Sequence, residues 1–182
     1  MEVTGLYGGA FDPPHNGHVA LAAGAKHAFG IPRLLVLVSE DPGHKSTHSP
    51  ADVRLELARA AFPDDDVRLD PYPRTIELLR AEQFEKPLFV LGADEFCDFL
   101  SWVEPDEILE LAELAVGTRP GFPRERLDSV LEQLRRPERV HFFAIEPNRA
   151  SSTAIRAGEA PDDLVPPAVA ALIRHHHLYT GA

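Results

Sequence analysis

The run Val3-Thr4-Gly5-Leu6-Tyr7-Gly8-Gly9-Ala10-Phe11-Asp12-Pro13-Pro14-His15-Asn16-Gly17-His18 decides the fold. Val3 to Tyr7 reads as a short buried strand, Gly8-Gly9 and the prolines as a turn, and Asn16 to about Phe29 as a helix ending before Gly30 and Pro32. Paired glycines let main chain come close to a ligand. Asn16 is a good N-cap residue, and the free N–H groups of a helix start attract anions. His15 and His18 are three apart, so on a first helical turn they face the same way, with Gly17 leaving room for a bulky anion.

Outward from this run, strand-like and helix-like segments alternate. Leu34 to Val38 is a continuous aliphatic run, the pattern of a central parallel strand. After a polar loop from Ser39 to Ser49, a helix is expected from Pro50 to about Ala61, with the proline in its first turn. Val67 to Leu69 reads as a short strand and Thr75 to about Glu82 as a helix. Pro87 to Leu91 is a strand ending at Gly92. Helical stretches are expected near Glu95 to Phe99 and Pro105 to Leu111. Ala112 to Gly117 and Val140 to Ala144 read as strands on either side of a helix from Arg124 to Arg135. Ser152 to Ala157 and Pro167 to His175 close the chain as helices. The order predicts an α/β fold, a doubly wound parallel sheet with helices on both faces. Such sheets bind ligands beyond the carboxyl ends of their strands.

Composition narrows the function. The chain has 182 residues, 44% hydrophobic and 26% charged, which suits a single domain over residues 1–182. A net charge of -11 argues against a nucleic-acid partner. No apolar run approaches the roughly 20 residues that cross a bilayer, so no membrane partner is expected. Without a basic leader, and with the single cysteine Cys97, a cytoplasmic setting is expected. Cys97 reads as packing. No apolar face is legible as a subunit interface, so a homo-oligomer stays open.

Imidazoles at an anion site can donate hydrogen bonds to phosphate oxygens and stabilise charge as phosphorus is attacked. The alternatives are two surface histidines on a turn, or a zinc site, for which no partner cysteine or carboxylate cluster is in view. Ser152 and Thr153 open a helix that can hold phosphates, with Arg156 one turn later, or that is simply a capped surface helix. Asp94 beyond its strand can accept from ribose hydroxyls or cap a helix. Trp102 can stack on a ring or pack in the core.

The Gly8 to His18 segment resembles the GxFDPxHxGH signature of the HxGH nucleotidyltransferases, a superfamily with a Rossmann-like fold. The Gly92-Ala93-Asp94 block with Phe99 and Trp102, Val116 through Arg119-Pro120-Gly121, Ser151-Ser152-Thr153-Ala154-Ile155-Arg156 and the Leu164…Tyr179 tail resemble the bacterial nicotinate-nucleotide adenylyltransferases. The resemblance implies transfer of AMP from ATP to nicotinate mononucleotide. Other acceptors (nicotinamide mononucleotide, phosphopantetheine) and a non-catalytic nucleotide-binding role are the alternatives. It implies catalytic roles for His15, His18, Lys45 and Arg156. ATP contacts are expected at Gly8, Gly9, Ala10, Phe11, His15, Gly17, His18, Gly92, Asp94, Ser151, Ser152, Thr153 and Arg156. Acceptor contacts are expected at Lys45, Arg74, Thr75, Asp94, Trp102 and Arg119. Mg²⁺ is expected to arrive with ATP, with no protein metal site. The chain departs from the family pattern at Gly43, where a proline is usual, and at Arg74, where the family has tyrosine. His175-His176-His177 reads as part of the natural tail.

Overall fold

Alternating apolar runs and amphipathic segments produce the expected architecture. The computed structural model describes residues 3–42, 47–147, 149–158 and 161–180. Six strands, β1 (Thr4–Gly9), β2 (Leu34–Ser39), β3 (Asp66–Asp70), β4 (Pro87–Gly92), β5 (Glu113–Thr118) and β6 (Val140–Ala144), form one sheet in the order β3-β2-β1-β4-β5-β6. The sheet is all parallel, with β1 on β4, β2 on β3, β4 on β5 and β5 on β6. Between and after the strands lie α1 (Asn16–Phe29), α2 (Ala51–Ala61), α3 (Thr75–Ala81), α4 (Ala93–Cys97), α5 (Pro105–Leu111), α6 (Arg124–Leu131), α7 (Ser152–Arg156), α8 (Pro161–Leu164) and α9 (Pro167–His175).

Burial explains the strand sequences. The interior of β2, β4 and β5 is nearly continuous Leu, Val, Phe and Ala because both faces are covered. The edge strand β3, Asp-Val-Arg-Leu-Asp, has no fully buried residue, as an edge requires.

Some boundaries differ from the sequence reading. β1 continues through Gly8-Gly9 instead of stopping at Tyr7. Pro50 stands at the N-cap of α2, outside the helix. The stretch expected as a helix from Glu95 to Phe99 divides into α4 and a 3₁₀ turn, Phe99–Ser101. The helix expected to reach Arg135 ends at Leu131, and α8 is an element that the apolar pattern, with only Leu164 to read, did not reveal.

The chain forms two compact units. Unit 1 comprises residues 1–7, 21–34 and 74–147, and unit 2 residues 8–20, 35–73 and 148–182. In unit 1, β4 and β5 carry the core, with α3 packed on α5 and α4 on α6. In unit 2, α2 packs on α9 and on β3. Unit 2 holds the histidine segment, the loop after β2 and the tail.

Candidate active site

The histidine segment begins where β1 ends. Phe11 adopts a left-handed φ of 49° and is 2% exposed. Its ring meets Phe62 edge-on at 5.6 Å and His18 at 5.2 Å between centroids. A Cβ on Gly9 would lie 3.0 Å from that ring, so the bare glycine admits Phe11. Phe11 thus backs His18 from the interior.

The two histidines cap their own helix. The main-chain oxygen of His15 accepts from the N–H groups of His18 and Val19, which makes His15 the N-cap. Its Nδ1 accepts from Gly17 N–H at 3.1 Å, and the Nδ1 of His18 accepts from His15 N–H at 3.1 Å. This is a reciprocal capping box with imidazoles in place of the usual serine and glutamate. The expectation that Asn16 caps α1 is corrected: Asn16 is the first helical residue, and its amide donates to Asp163 O. The rings stack at 3.7 Å with 30° between planes.

That arrangement sets the chemistry of both rings. Each Nδ1 is an acceptor, so a neutral ring carries its proton on Nε2. Burial pushes the His15 imidazole down to about 4, keeping it neutral at physiological pH. A Cβ on Gly17 would lie 2.9 Å from His15 Cε1, so the missing side chain makes space for the imidazole, where the sequence suggested an anion.

Behind the histidines lies a buried polar network. Asp12, 4% exposed, accepts from His48 N–H at 2.5 Å, Ser49 N–H at 3.3 Å and the Tyr179 hydroxyl at 2.5 Å. Burial alone would raise its pKa, but these hydrogen bonds outweigh it and hold the carboxyl below the usual range. Arg54, 1% exposed, donates to the carbonyls of Ser49, Ala10, Ser39 and Glu40. The sequence assigned no role to Asp12, Ser49, Arg54 or Tyr179. One signal was present: residues 54, 57, 58 and 61 form the buried stripe of α2, and a charge on such a stripe needs buried partners.

The helix after β6 also belongs to unit 2. Ser152 and Thr153 open α7 as expected, and Ser151 is its N-cap, its Oγ accepting from Ala154 N–H. Ser152 donates its hydroxyl to Pro13 O at 2.9 Å, and Arg156 donates to Asp12 O at 2.6 Å. Both side chains therefore hold the histidine segment. Thr153 is exposed. Gly8, Gly9 and Ala10 are half-buried at the end of β1, while Lys45, like Gly43, lies outside the described residues.

The remaining candidates are in unit 1. Nothing stands within 4 Å of a Cβ built on Gly92, which is the N-cap of α4. The alternative of Asp94 as a cap is corrected: Asp94 is the second residue of α4, paired with Arg119 at 3.2 Å and Arg126 at 3.7 Å. Trp102 is half-buried, tilted on Phe99 at 5.3 Å and edge-on to Phe89 at 6.1 Å. Arg74 is exposed at the start of α3 beside Thr75, and faces Glu77 at 3.5 Å.

A family model described as cytidylyltransferase-like matches residues 6–158. Relatives named "Probable nicotinate-nucleotide adenylyltransferase" include one from Thermus thermophilus, 34% identical with 96% of this chain and 98% of the relative covered, and one from Bordetella pertussis, 35% identical with 98% and 100% covered. The chain belongs to the nicotinate-nucleotide adenylyltransferases of the cytidylyltransferase-like family. The fold of this adenylyltransferase chain is also that of the Plasmodium falciparum nicotinic acid mononucleotide adenylyltransferase complexed with NaAD. That similarity has a TM-score of 0.76 at 18% identity, with 98% of each chain covered. Among the described residues of the chain, no helix is long and apolar enough to cross a membrane.

Proposed function

We propose that the chain transfers the AMP moiety of ATP to the phosphate of nicotinate mononucleotide, giving nicotinate adenine dinucleotide and pyrophosphate. The imidazole capping box carries this reading. Each ring accepts a helix-start N–H through Nδ1, so a neutral ring carries its proton on Nε2, and both rings stand beside a helix start. Full-length relatives bearing the activity's name support it.

An acceptor phosphate oxygen attacks the α-phosphorus in line, the bond to the bridging oxygen breaks, and pyrophosphate departs. The acceptor phosphate is already a nucleophile at neutral pH, so catalysis is mainly positioning and charge stabilisation. His15 and His18 donate to oxygens of the triphosphate. Arg156, anchored on Asp12 O, adds charge together with Lys45 and the N–H groups around Ser151 to Thr153. Gly8, Gly9 and Ala10 present main chain to the nucleotide, while Phe11 and Gly17 act by seating the imidazoles. Gly92 and Asp94 serve the ribose, and Arg74, Thr75, Trp102 and Arg119 serve the acceptor. Mg²⁺ enters as part of the MgATP substrate.

The chain acts as one domain, since its two units interleave along the sequence and the family model runs through both. A cytoplasmic setting fits its single cysteine. The test is pyrophosphate release from MgATP with nicotinate mononucleotide, nicotinamide mononucleotide and phosphopantetheine in turn. Nicotinate mononucleotide should give the highest kcat/KM. Preference for either of the others would overturn the acceptor, and release with none of them would overturn the activity.

A further inference from the structure

Tyr179 reaches the histidine segment from the far end of the sequence. Beyond α9 the chain turns back through two left-handed residues, His177 at φ 52° and Tyr179 at φ 56°, a conformation uncommon for residues with side chains. The turn is held by hydrogen bonds from His177 N–H to Arg174 O and from Leu178 N–H to Ile173 O. It delivers the phenol to a buried carboxylate.

The phenol has one proton to give. Its 2.5 Å contact with Asp12 Oδ1 assigns that proton to the carboxylate, so the Ser49 hydroxyl, 3.0 Å away, donates to the phenol oxygen. Ser49 O–H, Tyr179 O–H and Asp12 form one directed chain in which each bond polarises the next. The other carboxylate oxygen, Oδ2, takes the N–H groups of His48 and Ser49, and Asp12 O takes Arg156.

We infer that Tyr179 is a positioning residue: its hydroxyl fixes Asp12, and through Asp12 it sets the placement of the His48–Ser49 turn and of Arg156 together. The inference rests on the proposed reaction for the step it disturbs. Misplacement of about 1 Å costs on the order of a hundredfold in a reaction governed by positioning. Among the described residues, the charged and titratable groups facing Asp12 are Arg54, Tyr179, Arg156 and His48, whose Nδ1 is 4.0 Å from Oδ2.

The test is Tyr179→Phe, read in two ways. The ¹³Cγ titration of Asp12 reports the hydrogen bond without turnover, and its midpoint should rise, because the phenol's hydrogen bond helps hold the carboxyl low. The kcat for adenylyl transfer should fall at least tenfold, while KM for ATP changes less than about threefold. Ser49→Ala should act in the same direction and more weakly, and serves if Tyr179→Phe does not fold. Glu56→Gln takes the charge out of another polar tie of the tail, Glu56 to His176 at 2.8 Å, and should lower thermal stability slightly with neither effect. An unmoved Asp12 midpoint, an unmoved kcat, or equal changes in Glu56→Gln would overturn the inference. If the unaltered protein lacks adenylyl transfer, the proposed function fails by itself. The Asp12 titration and the Arg156 Nη1–H shift then decide whether Tyr179 sets this geometry.

Discussion

The His15 N–H donates to the Nδ1 of His18, while His15 Nδ1 accepts from the N–H one residue before His18. The two side chains proposed to touch phosphate are thereby also the cap of the helix on which they sit. Capping uses Nδ1 of each ring, and the proposed phosphate contact falls to Nε2.

Each ring, when neutral, should therefore be the Nε2–H tautomer, and His15 stays neutral down to about 4. Between about 6.5 and 4 the unfolded chain binds a proton at His15 that the folded protein does not. Stability should consequently fall as pH drops through this window, with a ceiling of roughly 3 kcal/mol at 1.36 kcal/mol per unit. His15→Asn keeps a good N-cap and should flatten that dependence in urea titrations run at several pH values. Nitrogen-15 shifts reporting an Nδ1–H tautomer for either ring would overturn the arrangement.

His18→Ala should lower kcat by about 10²- to 10³-fold, the usual cost of deleting one donor to developing charge, with little change in KM for ATP. The lost cap costs only about 1 kcal/mol, too little to unfold the protein. Circular dichroism beside pyrophosphate-release kinetics separates the two effects. A variant folded and fully active would remove His18 from the chemistry.

Gly17→Ala sets two effects of opposite sign against each other. Alanine in place of glycine inside a helix is worth about 1 kcal/mol. The added methyl would lie 2.9 Å from His15 Cε1, closer than a Cβ approaches a ring, so the imidazole must swing away. Thermal stability should change by only a few degrees while kcat falls at least tenfold. Unimpaired turnover would mean that the seating of His15 is unimportant.

Element order was legible because strands covered on both faces are written as apolar runs, and β2 and β4 are plain cases. The histidine segment stood out through its resemblance to the GxFDPxHxGH signature, since the two imidazoles alone would equally fit a turn with surface histidines. Which atom bonds which was not. Asn16 has better capping statistics than His15, but a second histidine three residues on makes the imidazole pair the better box. The Asp94 pairing needs Arg119 and Arg126, residues brought up by the end of β5 and by α6. The Asp12 contact with Tyr179 spans 167 positions, a separation at which local pattern carries no information.

Arg54→Met should be the most destabilising change in unit 2. Methionine matches the aliphatic stem, but the carbonyls of Ala10, Ser39, Glu40 and Ser49 lose a common donor, and Asp12 loses a buried opposite charge. Removing one member of a buried charged network typically costs about 3–5 kcal/mol. Arg54→Lys should recover only part of this, because one ammonium cannot span four carbonyls. Urea denaturation of the three proteins gives the ranking, and a loss below about 1 kcal/mol for methionine would contradict it.

Asp94 distinguishes a surface ion pair from a substrate contact. Its side chain is 67% exposed, and its two partners are exposed arginines, so the pairs contribute no more than about 1 kcal/mol to stability. For a chain of this size that corresponds to a few degrees at most in melting temperature. If the carboxylate accepts from ribose hydroxyls, Asp94→Asn should leave the melting temperature nearly unchanged and raise KM for a nucleotide substrate about tenfold, since an amide replaces a charged acceptor. Titrating ATP at saturating acceptor, and then the reverse, shows which substrate Asp94 holds. Unaltered KM values for both would leave Asp94 as a partner of Arg119 and Arg126 alone.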